Sequence, residues 1–183
     1  MRNTKSTRHT TEAEDEEIES EKKSQDVFEL LKTDHRRVEA LFSRFEGADK
    51  RTKSGIVEEA LAQLEIHAAL EEELVYPAIW EATDNEDMVD AAKEKHHVVK
   101  LLIKVLRKMD VAEQEFTSKF KALREVVRRH VEEEEKEMFP QAEEAGLDTE
   151  GLGGEVAKRK AKLMQKLKHE RGSKKLPIRR KAA

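Results

Sequence analysis

Four histidines and two glutamates have the residue types and spacing that could hold metal ions. They are His35, His67, Glu71, His96, His130 and Glu134. Glu71 follows His67 by four residues, and Glu134 follows His130 by the same interval. Residues four apart lie on one face of an α-helix, with Cβ atoms about 5–6 Å apart. Each His–Glu pair can therefore reach a common point, and this set of imidazoles and carboxylates suits iron, manganese or zinc.

The two halves of the sequence repeat this pattern. Residues 67–77 align with residues 130–140, because each segment has His, then Glu four residues later, then an aromatic residue and Pro nine and ten residues after the His. His35 and His96 are each followed by apolar residues at positions +3, +6, +7 and +10. A duplicated helical hairpin is the simplest explanation. Carboxylates on opposing helices could then bridge two metal ions about 3.5–4 Å apart.

Apolar residues at three- and four-residue steps predict the helices that position these donors. The four predicted helices cover about residues 25–46, 54–82, 86–109 and 116–145. Long helices with short links favour an all-α fold, an up-down-up-down antiparallel four-helix bundle over residues 25–147. Facing helices in a bundle lie about 8–10 Å apart, a gap in which the six side chains can meet.

The segments on either side of the predicted bundle differ from it in composition. Residues 1–24 are polar and charged, so we expect a disordered N-terminal segment. In residues 148–183 we expect a hinge at Gly151, Gly153 and Gly154, followed by a basic, partly helical tail. Beyond the hinge the tail has 12 Lys and Arg against 2 Glu. We favour a solvated tail that pairs with the acidic body over contact with nucleic acid, because no nucleic-acid-binding motif accompanies the charges.

The composition excludes several classes of site. The chain has 183 residues and no Cys, which excludes disulfides, thiolate metal sites and Cys nucleophiles. No apolar run approaches the length of a membrane span, so we expect no membrane partner. The polar N-terminus has no apolar stretch that could act as a secretion signal, so we expect a cytoplasmic protein.

A single inward histidine is more often a core residue than a metal ligand. Burying four histidines and two glutamates without a cation would cost several kcal/mol, so for the set we favour metal binding. Glu133, three residues after His130, is an alternative ligand to Glu134. We expect solvent exposure for most of residues 132–135. We also expect solvent exposure for Glu72, Glu73 and His97, and core positions for Tyr76, Trp80 and Phe139.

Together these residues resemble the hemerythrin-like (HHE cation-binding) domain family over about residues 25–147. The resemblance implies an up-down four-helix bundle with a non-haem di-iron centre, in which two iron ions share an oxo or hydroxo bridge. One iron would bind His35 and His67, the other would bind His96 and His130, and the two glutamates would bridge them.

The sequence also departs from the oxygen-carrying hemerythrins. Those proteins have a second His four residues after the His of the third helix, where this chain has Lys100, and an Asp five residues after the last His. The missing imidazole leaves an open or water-filled position. The pattern is more similar to bacterial HHE proteins and to the iron- and oxygen-sensing domain of a ubiquitin-ligase subunit. Ferritin-like centres place Glu three residues before His, where this chain has Leu64 and Val127.

The resemblance implies a protein that binds or senses dioxygen, nitric oxide or iron. The alternative is a di-iron enzyme that reduces peroxide or nitric oxide, with Tyr76 as a weak candidate proton donor and the basic tail as a nucleic-acid contact. The sequence does not decide between the two.

Overall fold

The computed structural model describes residues 26–173, with residues 172 and 173 described only for their backbone. These residues form helices joined by short links, without a strand, which confirms the predicted all-α class. The helices are α1 (Val27–Gly47), α2 (Lys50–Leu70), α3 (Tyr76–Thr83), α4 (Glu86–Leu106), α5 (Gln114–Glu133), α6 (Phe139–Glu144) and α7 (Thr149–Ser173). Two π-helical segments, Glu71–Val75 and Glu134–Met138, continue α2 into α3 and α5 into α6. The predicted disorder of residues 1–24 falls outside the described residues, and the up-down order stays a prediction.

Aspartate side chains cap the first two helices at their N-termini. Asp26 Oδ1 accepts hydrogen bonds from the backbone N–H groups of Phe28 and Glu29, at 2.8 and 3.0 Å. Asp49 caps α2 through the N–H of Thr52 at 2.8 Å. The α2 helix therefore begins at Lys50, earlier than the predicted residue 54, because a capping aspartate satisfies N–H groups that would otherwise lack a partner.

The buried apolar side chains form two clusters with the predicted metal ligands between them. On α1, His35 lies between Leu31 of one cluster and Val38 of the other. The same order holds on α4, where His96 lies between Ala92 and Val99. Helix α1 packs against α2 and α5, and α4 packs against α5. The packing therefore places one layer of ionisable side chains between two apolar regions of the interior.

Helix α7 corrects the prediction of a glycine hinge. The helix begins at Thr149 and includes all three glycines, Gly151, Gly153 and Gly154. Asp148 caps it by accepting a hydrogen bond from the N–H of Gly151 at 2.9 Å. Helix α7 packs on α1 and α2, and Val156 is only 1% exposed. This burial outweighs the low helix propensity of glycine, which destabilises a helix by about 1 kcal/mol per residue relative to alanine.

None of the helices within residues 26–173 combines the length and the apolar character needed to cross a bilayer.

Candidate metal centre

The structure buries all six predicted ligand side chains and brings them together as two groups of four. The first group is His35, His67, Glu71 and Glu134, and the second is Glu71, His96, His130 and Glu134. Within each group, one ligand atom from every residue lies within 4.8 Å of the others. Both glutamates belong to both groups, so the two groups share their carboxylates.

The distances between imidazole nitrogens match those around a metal ion. The Nε2 atoms of His35 and His67 are 3.0 Å apart, and those of His96 and His130 are 2.8 Å apart. Metal–nitrogen bonds of about 2.1 Å that meet at a right angle would place two nitrogens about 3.0 Å apart. Each histidine pair is therefore spaced as two adjacent ligands of one ion would be.

The glutamates contact histidines of both groups. Glu71 Oε2 lies 3.1 Å from His67 Nε2 and 3.2 Å from His96 Nε2. Glu134 Oε2 lies 3.5 Å from His35 Nε2, and its Oε1 lies 3.4 Å from His130 Nε2. This is the placement expected of carboxylates that bridge two ions.

Carboxylates outside the six-residue set fix the orientation of two imidazoles. His35 Nδ1 lies 2.7 Å from Glu135 Oε1, and His96 Nδ1 lies 2.9 Å from Glu72 Oε1. A carboxylate only accepts hydrogen bonds, so Nδ1 carries the proton and the Nε2 lone pair faces the centre. Carboxylates in this position commonly orient metal-ligating histidines. The expectation that Glu72 is merely solvated was therefore wrong, because its carboxylate reaches across to α4.

Two lysines hold carboxylates beside the centre. Lys100 Nζ lies 2.5 Å from Glu72 Oε2. Lys100 stands where the oxygen-carrying hemerythrins have their second histidine, and here it pairs with the same carboxylate that orients His96. Lys160 of α7 pairs with the buried Asp34 at 2.5 Å, and the other Asp34 oxygen lies 3.9 Å from His67 Nδ1. Helix α7 therefore contributes to the surroundings of the centre from beyond the predicted bundle.

The structure separates Glu134 from its alternative, Glu133. Glu134 is buried at 1% exposure, whereas the exposed Glu133 forms an ion pair with Lys95. His97 is exposed, as expected, whereas the core position predicted for Trp80 was wrong, because this side chain is 48% exposed. The sequence signal that could have found the orienting carboxylates is their position, because Glu72 and Glu135 each directly follow one of the two central glutamates.

The π segments bring an aromatic residue into each half of the site. In an α-helix, residues five apart point about 140° away from each other around the axis. In a π segment, the N–H of residue i+5 bonds to the carbonyl of residue i, and Tyr76 N–H bonds in this way to Glu71. The second residue after each segment, Pro77 or Pro140, has no N–H for a regular α-helical bond. Tyr76 and Phe139 are thereby brought over Glu71 and Glu134.

Tyr76 is buried in the core, as predicted, and its hydroxyl also belongs to the site. Its hydroxyl donates a hydrogen bond to Glu134 Oε1 at 2.7 Å and lies 3.2 Å from His96 Nε2 and 3.4 Å from His130 Nε2. Phe139, at the equivalent position of the repeat, stacks against His35 with ring centroids 6.3 Å apart. The two halves of the site are therefore chemically different, because only one has a hydroxyl.

Comparison with known proteins agrees with this geometry. Residues 26–142 match the sequence profile of the hemerythrin HHE cation binding domain. The chain belongs to this family. A hemerythrin HHE cation binding domain-containing protein from Mycobacterium kansasii has the same fold, with a TM-score of 0.72 and 24% identity over 82% of this chain and 94% of that chain. A protein described as a DNA nickase, from Nostoc sp., is 25% identical over 157 residues, which are 81% of this chain and 43% of the relative. This chain thus spans less than half the length of that relative.

The buried groups of this HHE domain have strongly shifted pKa values. Burial disfavours the charged form of His67, but the Glu71 carboxylate outweighs it and raises the pKa of His67 to about 10. Burial, reinforced by the Glu71 charge, raises the pKa of Glu134 well above its ordinary value. Burial also lowers the pKa of His130 to about 3. Without cations, His67 therefore carries a proton near neutral pH, and metal binding competes with that proton.

The HHE site leaves buried acceptors that a cation would satisfy. Both carboxylate oxygens of Glu71 and Oε2 of Glu134 accept no hydrogen bond of good geometry from residues 26–173. Leaving a buried charged acceptor unsatisfied costs more than the roughly 1–3 kcal/mol of a neutral one. Four imidazoles and two carboxylates form a donor set that suits iron, manganese or zinc. The residues present therefore fit a metal centre.

A small cavity is lined by the four histidines and Asp34 on one side and by aliphatic residues on the other. Its volume is about 20 Å³, and its other lining residues include Val38, Leu64, Val99, Val127 and Val131. A cavity needs about 10–15 Å³ to hold one water-sized molecule. The cavity therefore has room for one small ligand beside the four imidazoles.

Proposed function

We propose that this protein binds two iron ions between its helices and uses them to bind or sense a small ligand such as dioxygen or nitric oxide. One ion binds His35 and His67, the other binds His96 and His130, and the two shared glutamates bridge them. The observation that carries the proposal is the pair of buried four-residue groups that share two carboxylates. A cytoplasmic location belongs to the same proposal.

The surroundings of the centre support a diatomic ligand. Iron ions at this position would supply exchangeable coordination sites and one-electron redox chemistry. The protein itself contributes oriented imidazoles, through Glu72 and Glu135, and a cavity of about 20 Å³ beside them. A cavity of this size admits a ligand of only a few atoms.

Metal analysis of protein produced in iron-replete cells tests this proposal. We expect about two iron ions per chain, with near-ultraviolet charge-transfer bands that azide changes. Removing the iron should lower the melting temperature, because a ligand that binds only the folded state stabilises it. Protein that takes up no iron under anaerobic loading would overturn the proposal.

Reduction of peroxide or nitric oxide is the second candidate function, and the position of Tyr76 favours it. The hydroxyl lies beside Glu134 and two of the imidazoles, and burial raises the pKa of the Tyr76 phenol well above its ordinary value. The neutral phenol therefore keeps a proton at the centre, which such a reduction consumes. Sustained turnover of peroxide by the iron-loaded protein would favour this function over reversible ligand binding.

The outer face of α7 supports a nucleic-acid contact. Lys158, Lys162 and Lys166 are four residues apart, so they share one exposed face of the helix. None of them forms an ion pair within residues 26–173, whereas Arg159 pairs with Glu73. The relative described as a DNA nickase adds weight to a nucleic-acid partner. We include backbone contact with DNA, without sequence specificity, in the proposal.

Replacing Lys158, Lys162 and Lys166 together by Ala should weaken retention of double-stranded DNA at low salt. Each lost phosphate contact reduces the magnitude of the negative slope of log affinity against log salt by about 0.9. Filter binding across a salt series measures the slope. The same change at Lys104, Lys108 and Lys121, which are also exposed, is the control. Equal effects in the two triple variants would contradict a specific role for α7.

A further inference from the structure

An open cleft connects the surface of the protein with one side of the centre. The cleft has a volume of about 370 Å³ and lies between α4 and the segment from α5 to α6. Its lining includes the buried His130 and Glu134 as well as Glu133 and Glu137, which are exposed. The cleft therefore extends from solvent to the second group of proposed ligands.

The charged residues of this cleft are mostly acidic. Asp87, Glu133, Glu137 and the buried Glu134 line it, with Lys95 as the one basic residue among its lining. Lys95 and Glu133 form an ion pair that joins α4 to α5. We name this feature the acidic cleft.

Glu134 links the acidic cleft to the centre. The side chain is 1% exposed, and its Oε2 atom accepts no hydrogen bond of good geometry in the described part of the chain. An unsatisfied, buried carboxylate oxygen on the lining of an acidic passage is a ligand for a cation that arrives through that passage.

The second opening to the centre is less suited to cations. It has a volume of about 390 Å³ and reaches His35, but its lining includes Arg36 and Arg128 together with Glu39 and Glu135. Its positive and negative side chains are therefore equal in number. The difference in charge between the two openings favours the acidic cleft for a positively charged ligand.

We propose that the acidic cleft is the route by which divalent metal ions reach the centre from solvent, an inference that rests on the proposed metal binding. Glu133, Glu137 and Asp87 attract the cation, and Glu134 and His130 receive it. Lys95 opposes the cation and neutralises Glu133. The cleft residues thus control the rate of uptake, whereas the six ligands control the final occupancy.

Stopped-flow uptake of Co²⁺ by the metal-free, full-length protein tests this route, since the visible absorption of bound Co²⁺ reports occupancy. Changing both Glu133→Gln and Glu137→Gln should slow uptake by roughly threefold to tenfold, a part of the 10- to 1000-fold that charged clefts can contribute. Lys95→Met should accelerate uptake. Both effects should shrink as salt rises, because salt screens exposed charges. The final metal content should stay that of the wild type in every variant.

Glu132→Gln is the matched control. Glu132 lies beside Glu133 in sequence but pairs with Arg128 and Lys136 away from the cleft, so its loss should leave the uptake rate unchanged. The inference fails if the wild type binds Co²⁺ and the Glu133→Gln/Glu137→Gln variant loads at the same rate. It also fails if Glu132→Gln slows uptake equally. A wild type that binds neither Co²⁺ nor Fe²⁺ would instead overturn the proposed metal binding itself.

Discussion

Changing Glu71 to Gln should abolish the binding of both metal ions at once. Glu71 Oε2 lies within 3.2 Å of one histidine from each group, so both ions lose a charged ligand. The loss of affinity should exceed the roughly 10- to 100-fold that changes to orienting partners cost. Anaerobic titration with Fe²⁺, followed by metal analysis after gel filtration, measures the stoichiometry.

Two other variants make the Glu71 result specific. Glu73→Gln changes an exposed carboxylate two residues away that pairs with Arg159, and this variant should keep both ions. His96→Ala should lose chiefly the ion that we propose for His96 and His130 and should keep part of the metal content. If Glu71→Gln still holds two ions per chain, the glutamate is not a shared ligand.

Changing Tyr76 to Phe should leave iron binding largely intact but reduce peroxide turnover. The repeat already has a phenylalanine, Phe139, at the equivalent position, so the ring should fit. Loss of the hydrogen bond to Glu134 costs on the order of 1–3 kcal/mol of folding free energy. General acid groups contribute about 10²- to 10⁴-fold to rates, and a fall in turnover within that range is expected.

The measurement is steady-state peroxide consumption by variants with equal iron content. Phe139→Tyr, made alone and together with Tyr76→Phe, moves the hydroxyl to the other half of the site and tests whether its position matters. Turnover at the wild-type rate in Tyr76→Phe would remove Tyr76 from the reaction. A visible absorption band that disappears in this variant would instead identify the phenol oxygen as an iron ligand.

The repeat made the central six residues predictable from sequence. The i, i+4 spacing of His67 and Glu71 depends only on α-helical geometry, and α2 is α-helical up to that point. Duplication supplied the second pair and showed which glutamate of residues 132–135 to choose. Apolar periodicity placed His35 and His96 on the inward faces of their helices. These features are local, so a single chain segment carries each of them.

The contacts of residues outside the six predicted ligands depend on geometry beyond the regular helix. Tyr76 enters the site because the chain changes from α to π hydrogen bonding at Glu71, which an α-helical projection places about 140° away. Glu72 and Glu135 look like solvated members of charge runs, and their partners lie 24 and 100 residues away in the chain. Only packing brings those partners together.

The sequence by itself therefore determined the all-α class, the inward faces and the six side chains that meet. The tertiary structure decided which carboxylates orient the imidazoles, that one half of the site has a hydroxyl, and that α7 packs on the bundle through Val156 and Lys160. The physical reason is the separation along the chain between the residues that interact. Helical periodicity acts between residues three or four apart, whereas hydrogen bonds and ion pairs between helices depend on how those helices pack.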